Sequence, residues 1–383
     1  MKIGYDGKRA AQNFTGLGNY SRYALAAISS NYPEEEYLIY LPKDITNEKL
    51  EELIQVSNGH MRKVFPLSRF NKKNKSFWRV CGITKDIKRD KIDIFHGLSN
   101  ELPLTIDHLA PAIKSVVTIH DLIFLRFPSY YPLVDRYIYN YKFRKACINA
   151  DHIIAVSECT KRDIVSFYGI SPEKISVIYQ GCDPIFSTPV DESRKAEIRE
   201  KYSLPEKYIV SVGSIEERKN LLSVVKALIF LPKDVHLVAV GKRTKYTATI
   251  EDFVKLHNLQ ERVHILSSVQ TYDLPAIYQC ADVFAYMSVY EGFGIPLLEA
   301  LHSRIPVIAA TGSCLEESGG TGSKYVAPYD IIGIADAVKE CMKPEVREAM
   351  VNKGLEWVRK FTPDIFASET MRVYKKILGE GKR

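Results

Sequence analysis

Tyr290-Glu291-Gly292-Phe293-Gly294-Ile295-Pro296-Leu297-Leu298-Glu299-Ala300-Leu301 is the stretch from which the rest of the chain reads. The β-type apolar run Asp282-Val283-Phe284-Ala285-Tyr286 comes before it, and Pro296 stands where the first turn of a helix accepts a proline without losing a hydrogen bond. The stretch reads as strand, glycine loop, helix. Gly292 and Gly294 permit close backbone approach, so the loop from Gly292 through Phe293 and Gly294 to Ile295 is expected to aim N–H groups at a ligand from the positive end of the helix. Glu291 is expected at the loop entrance and Glu299 in the first turn of the helix, two acceptors about a dozen ångströms apart along one ligand. Sugars, rich in hydroxyl donors, suit that pair.

A chain of 383 residues is long enough for two domains, each with its own core. Its opening, Met1-Lys2-Ile3-Gly4-Tyr5-Asp6-Gly7, does not resemble a signal peptide, and no apolar run approaches the ~18 residues of a membrane span. The seven cysteines (Cys81, Cys147, Cys159, Cys182, Cys280, Cys314, Cys341) are odd in number and form no CxxC pair, which reads as reduced thiols in a cytoplasm. The net charge of +7 is uneven. Met61 to Lys91 holds eleven Lys or Arg against Asp86 and Asp90, with Phe65, Phe70, Phe77 and Trp78 among them. Contact with anionic headgroups or a phosphate-bearing acceptor at a membrane surface is one reading, and a solvated basic face is the other. No nucleic-acid motif accompanies the charge.

Strand-like and helix-like segments alternate from end to end, the pattern of an α/β protein with mainly parallel sheets. Strands are expected at 2–5, 37–41, 93–96, 115–119, 152–156 and 176–179, then at 208–212, 235–240, 263–266, 282–286 and 306–309. Gly181-Cys182-Asp183-Pro184 followed by Ser187-Thr188-Pro189 reads as the linker. The expected division is 1–184, 185–362, and a closing helix over 363–383 with Ala367, Met371, Tyr374 and Leu378 on one face.

Further motifs sit at strand ends. Thr15-Gly16-Leu17-Gly18-Asn19-Tyr20 opens a helical pattern, and Gly16 and Gly18 could cradle a phosphate; the spacing is not GxGxxG, so a dinucleotide fingerprint is disfavoured. His120 and Asp121 follow the run Val116-Val117-Thr118-Ile119, at the strand edge where open α/β sheets bind ligands. The tyrosines Tyr130, Tyr131, Tyr137, Tyr139 and Tyr141 suit either sugar stacking or helix core. Arg218 and Lys219 precede a helical run beginning at Asn220, a diphosphate clamp with arginine as fork and lysine as point charge. No Asp-x-Asp occurs, so the two cations, rather than a metal, are expected to carry the positive charge.

Glu291, Glu299, Arg218-Lys219, the Gly16/Gly18 loop and His120, in this order and spacing, resemble glycosyltransferase family 4. The resemblance extends over Ala155-Val156-Ser157-Glu158-Cys159-Thr160-Lys161, over Val177-Ile178-Tyr179-Gln180-Gly181 and over Ser313 to Pro328. Glu316 departs from it, standing where the family usually has proline, and Thr321-Gly322 replaces an acidic-small pair; Glu317 and Gly320 match. The resemblance implies the GT-B fold: two Rossmann-like domains facing across a cleft, with the closing helix crossing back to the first. It implies a retaining hexosyltransferase without metal or other cofactor, using a nucleotide-diphosphate sugar as donor. By matching position, Glu299 holds the ribose, Arg218 and Lys219 the diphosphate, and Glu291 with the backbone of Gly292 to Ile295 the transferred sugar. His120 sits near that sugar, and Gly16 to Gly18 approach the phosphates or the acceptor.

The likeness is to bacterial members that use GDP-mannose in surface-polysaccharide assembly, while a UDP-hexose donor stays open because no named residue reads the base. The expected acceptor is a saccharide or lipid-linked saccharide, and the expected location is cytoplasmic, with peripheral contact at the inner membrane face through 61–91. Two other readings are a non-hydrolysing sugar-nucleotide 2-epimerase, which would form product from donor alone, and a sugar-nucleotide-binding module without catalysis.

Overall fold

The computed structural model describes residues 1–45 and 47–379. Backbone contacts divide the chain into two compact units, one made of residues 1–180 with the C-terminal segment from Phe361, the other of Gly181–Lys360.

The first unit holds a seven-stranded parallel sheet: β1 (Lys2–Asp6), β2 (Glu36–Tyr40), β3 (Met61–Val64), β4 (Ile94–Gly97), β5 (Lys114–Ile119), β6 (His152–Ala155) and β7 (Ile175–Val177). Their order is β3-β2-β1-β4-β5-β6-β7, with Ile3 opposite both Tyr37 and Ile94. Helices cover the faces, so the strands are apolar on both sides, and Trp78, Phe95 and Phe124 anchor a core around Val117, Ile119 and Ile153. The second unit repeats the plan with six parallel strands: β8 (Tyr208–Val212), β9 (His236–Val240), β10 (Val263–Leu266), β11 (Val283–Tyr286), β12 (Val307–Ala310) and β13 (Ser323–Val326). They run β10-β9-β8-β11-β12-β13, and Phe284 is opposite Val210 and Val307.

The helix Pro363–Leu378 belongs to the first unit for physical reasons. Thr362 caps it by accepting from the Ile365 N–H at 3.3 Å, Pro363 occupies its first position, and Gly379 in the left-handed region ends it. Its buried face carries Phe366, Ala367, Met371 and Tyr374. Phe366 meets Tyr20 and Tyr23 of the Gly16–Asn31 helix edge-on, at 6.0 and 5.2 Å. Tyr374 places its hydroxyl 2.6 Å from His96 Nδ1, and His96 Nε2 lies 2.9 Å from Thr118 Oγ1, which is 3.1 Å from Tyr20 OH. Burial of aromatic groups of this size contributes about 1.5–3 kcal/mol each, so the terminal helix is part of this core.

Strands β3 and β13 are absent from the sequence reading. β3 falls inside the basic stretch 61–91, which is therefore not one solvated face. Lys63 is drawn to Glu51 and Asp44, Arg79 to Asp6 and Glu101, and Arg89 to Asp86 and Asp90. Trp78 is wholly buried and donates Nε1–H to Asp86 at 2.7 Å. The longest run left in solvent is 67–77, with Leu67, Phe70 and Phe77 exposed beside Arg69, Lys72, Lys73 and Lys75; Arg62, Lys85, Lys88 and Lys91 are exposed outside it. The tyrosines divide similarly: Tyr139 stacks on Phe143 at 5.8 Å and meets Phe124 edge-on, while Tyr137 and Tyr141 are exposed.

Candidate functional site

In the second unit the sheet order reverses between β8 and β11, and the carboxyl ends of two strands at such a reversal are where open α/β sheets form a ligand crevice. Both loops carry residues singled out in the sequence. After β8 the chain makes a single 3-10 turn, Glu217–Lys219, and Asn220 takes a left-handed conformation (φ 52°) before the helix Leu221–Ala227. Asn220 is thus a cap rather than the first helical residue: its Nδ2 donates to the Pro328 carbonyl at 2.6 Å and its Oδ1 accepts from Ser223 at 2.8 Å. After β11 the loop ends on Gly294, with φ 102°, and the helix Ile295–His302 begins. A Cβ at Gly294 would lie 2.7 Å from Leu315 Cδ2 and 2.9 Å from Ser318 Oγ, so dihedral and space both require glycine.

The crevice is organised on one oxygen. Glu291 Oε1 accepts from Lys219 Nζ at 2.5 Å, Ser288 Oγ at 2.6 Å and Tyr286 OH at 3.0 Å, with Arg218 Nη1 at 3.0 Å. Arg218 Nη1 also donates to the Tyr290 carbonyl at 2.6 Å, and Lys219 donates to Tyr286 OH at 2.7 Å. Burial alone would raise the Glu291 carboxyl; the adjacent Lys219 and Arg218 charges and the Lys219 and Ser288 hydrogen bonds outweigh it and hold the group down at about 2. The sequence reading gave the carboxylate to the sugar and the cations to the diphosphate as separate parts, but they form one ion-paired cluster. The backbone of the same loop is tied in, since Cys314 donates to the Glu291 carbonyl at 3.1 Å, and Phe293 is buried. Glu316 accepts from Thr311 Oγ1 at 2.5 Å and from the Gly312 N–H at 3.0 Å, bracing the loop after β12.

Glu299 stands in the second turn of its helix, not the first, because that helix begins at Ile295. Its Oε2 accepts from Tyr278 OH at 2.9 Å. Burial raises this carboxyl to about 7, against the Tyr278 hydrogen bond and with the help of Asp183. The two glutamates of one motif therefore differ: Glu291 is a fixed anion, and Glu299 titrates near neutrality.

His120, Gly16 and Gly18 lie in the first unit. His120 follows β5; its backbone N–H donates to Asn100 Oδ1 at 2.6 Å, and Nε2 donates to the Leu98 carbonyl at 2.9 Å. Because that oxygen can only accept, the neutral ring keeps its acceptor lone pair on Nδ1. Burial pushes the imidazole down to about 4, so it is neutral at physiological pH. Tyr20 meets the ring edge-on at 4.5 Å. Gly16 opens the Gly16–Asn31 helix with free space around its Cα, but Gly18 is held tightly. A Cβ there would lie 1.8 Å from the Asn13 carbonyl oxygen, and its N–H donates to the Thr15 carbonyl and to Asn13 Oδ1. Gly18 is required by this turn's own closeness, whatever approaches it from outside.

Sequence reasoning missed Tyr286, Ser288 and Tyr278. Tyr286 and Ser288 flank the end of β11, where a hydroxyl is a visible if weak signal. Tyr278 lies in another helix, Leu274–Gln279, and nothing in its neighbourhood marks it. Among the described residues, no group of three or more His, Cys, Asp or Glu side chains is arranged to hold a metal ion, and no helix is long and apolar enough to cross a membrane.

Comparison with known proteins bears on the family and the fold. The family described as "Glycosyl transferases group 1" matches residues 194–357, and "Glycosyltransferase Family 4" matches residues 35–186. Among curated proteins, O-antigen chain mannosyltransferase B of Escherichia coli is 26% identical over 289 residues, 74% of either chain. O-antigen chain mannosyltransferase RfbU of Salmonella typhimurium is 29% identical over 244 residues, 63% of this chain and 65% of that protein, so the match spans just under two thirds of that relative's length. Among solved structures, Anabaena HepE in complex with UDP and glucose superimposes with a TM-score of 0.75 at 18% identity, covering 97% of this chain and 99% of that one. WaaG, a glycosyltransferase involved in lipopolysaccharide biosynthesis, gives 0.69 at 16% identity over 98% and 100%. Together the two family models cover most of both parallel-sheet units, and the solved neighbours share the fold: the chain is a glycosyltransferase of GT-B fold, with a family 4 domain in its first unit and a group 1 domain in its second.

Proposed function

We propose that the chain is a retaining, metal-independent mannosyltransferase that moves mannose from GDP-mannose to a saccharide or lipid-linked saccharide during surface-polysaccharide assembly. The observation that carries this reading is the Arg218–Lys219–Glu291 cluster at the β8/β11 switch point: two cations preorganised on one carboxylate, beside a glycine loop that opens a helix. Fixed positive charge of this kind stabilises the negative charge that develops on a departing diphosphate. The names of the relatives, O-antigen chain mannosyltransferases, support mannose as the sugar.

In this reading the bond from the anomeric carbon to the diphosphate oxygen breaks through an oxocarbenium-like state. The acceptor hydroxyl attacks from the same face, and its proton passes to the departing phosphate oxygen. Arg218 and Lys219 hold the leaving diphosphate, and Glu299 accepts from the ribose hydroxyls. Glu291 suits a sugar-orienting and cation-orienting role better than a nucleophilic one. Four donors surround its Oε1, and a carboxyl held at about 2 is a weak base. His120, neutral with Nδ1 as acceptor, is suited to take a substrate hydroxyl.

The segment 67–77 adds a location to the proposal. Its exposed Leu67, Phe70 and Phe77 alternate with Arg69, Lys72, Lys73 and Lys75, the mixture that binds anionic headgroups peripherally, here at the cytoplasmic face of the inner membrane. Sedimentation with anionic liposomes at low salt tests it, and protein left in the supernatant refutes it.

Transfer itself is tested by incubating the protein with GDP-mannose and a mannose-terminated acceptor in EDTA, then determining the anomeric configuration of the product by NMR. An α-linked product from the α-linked donor supports the proposal; an inverted product, a requirement for metal, or a 2-epimer formed from donor alone refutes it.

A further inference from the structure

His120 follows β5, and the loop that leaves the neighbouring strand β4 holds it in place. In that loop Asn100 takes a left-handed conformation (φ 63°), and its N–H donates to the Thr118 carbonyl at 2.8 Å, which fixes the loop against β5. Two groups of the loop then reach His120. Asn100 Oδ1 accepts from the His120 N–H at 2.6 Å, and the Leu98 carbonyl accepts from ring Nε2 at 2.9 Å. At the carbonyl of His120 a second element joins in: Thr160 Oγ1, in the first turn of the helix Glu158–Tyr168, donates to it at 3.1 Å.

Asparagine is not the residue that this backbone asks for. A left-handed dihedral costs glycine nothing and asparagine something, so at a position only 6% exposed the dihedral alone would be met better by glycine. What asparagine adds is one oxygen. Among the described residues its amide nitrogen has no hydrogen-bond partner, so the polar function of this buried side chain is spent on the backbone of His120. Without that acceptor the His120 N–H must find water or move, and the ring is drawn off the Leu98 carbonyl with it. In the neutral ring, the Nε2–H bond to Leu98 is what keeps the lone pair on Nδ1, and among the described residues nothing donates to Nδ1.

We propose that Asn100 is a positioning residue for the transfer reaction: by holding the His120 backbone it keeps Nε2–H on the Leu98 carbonyl and Nδ1 open to a substrate hydroxyl, with Thr160 as the second arm of the hold. This rests on the transferase reading above. The test compares the native protein with three variants. Asn100→Gly accepts the left-handed backbone and removes the amide, Asn100→Asp keeps an acceptor oxygen, and Thr160→Val keeps the side-chain shape and removes the hydroxyl. Nitrogen NMR on histidine-labelled protein reads the tautomer of the His120 ring, and steady-state transfer from GDP-mannose reads kcat and KM.

The expected result is a single Nε2–H tautomer in the native protein and in Asn100→Asp, and a mixture of tautomers in Asn100→Gly. In Asn100→Gly kcat should fall about ten- to hundredfold while KM for GDP-mannose stays within about threefold, the scale of a displaced reacting group. An asparagine that serves folding alone predicts a lower melting temperature with native tautomer and kcat, and that result overturns the proposal. So does an Asn100→Asp protein that behaves as Asn100→Gly. Where Asn100→Gly does not fold, a native tautomer in Thr160→Val overturns it instead. A native protein that transfers no mannose refutes the transferase reading, and the ring in Asn100→Gly then decides the hold on its own: mixed tautomers uphold it and a native tautomer overturns it.

Discussion

Lys219 Nζ lies 2.5 Å from Glu291 Oε1, and the two residues come from loops 72 positions apart in the chain. The contact ties the loop after β8 to the loop after β11 across the switch point, and Arg218 joins it at 3.0 Å. A diphosphate reaching this crevice meets cations already placed and partly neutralised, leaving the three side chains with one net positive charge. On the proposed function the carboxylate serves folding and ligand binding together.

Removing a cation from a buried carboxylate leaves an ill-compensated charge. Lys219→Met is expected to destabilise the protein by about 1–3 kcal/mol in urea unfolding. Adding Glu291→Gln should cost less than the sum of the single changes, with a coupling of about 1 kcal/mol or more. Additive effects would contradict the ion-paired cluster.

The motifs that carry this site were legible because they are local. Strand, glycine loop and helix around Glu291 follow one another in a dozen residues, and Pro296 and Gly294 mark the helix start. The edge strands β3 and β13 were not legible. Each is four residues long and half polar, Met-Arg-Lys-Val and Ser-Lys-Tyr-Val, because an edge strand is less enclosed than a central one. Long-range partners were hidden for another reason: Arg79 reads as one more charge in a basic run, and only the fold brings it to Asp6, 73 residues away. The same holds for Tyr278 and Glu299, whose pairing depends on two helices meeting.

Glu299 gives a pH dependence with a definite sign. Its folded value of about 7 lies above the ordinary carboxyl range, so the native state binds the proton more tightly than the unfolded chain. Stability contributed by this group is full below about pH 4, falls as pH rises towards 7, and is level above. Glu299→Gln should remove that slope from a plot of melting temperature against pH, and an unchanged slope would refute the assignment.

His120 moves the opposite way. Burial depresses it to about 4, so the native state favours the neutral ring and loses stability as pH falls from about 6.5 towards 4. By NMR its imidazole should show no titration midpoint between about pH 5 and pH 8. A midpoint near the ordinary histidine value would contradict the partly buried, Leu98-bonded ring.

Tyr374 should matter for stability although it is near the end of the chain. Tyr374→Phe removes the donor or acceptor at 2.6 Å from buried His96 Nδ1 and is expected to cost about 1–3 kcal/mol. Chemical denaturation measures it, and a change below about 0.5 kcal/mol would contradict the buried chain from Tyr374 through His96 and Thr118 to Tyr20.

The measurement that bears most directly on the central claim is calorimetric titration of the EDTA-treated protein with GDP, UDP and GDP-mannose, repeated on Arg218→Ala and Lys219→Ala. The account predicts that the native protein binds GDP and GDP-mannose without metal, and that each substitution weakens binding at least about tenfold, as loss of a charge-assisted contact to phosphate does. Unchanged affinity in both variants, or no binding by the native protein at millimolar nucleotide, would contradict it.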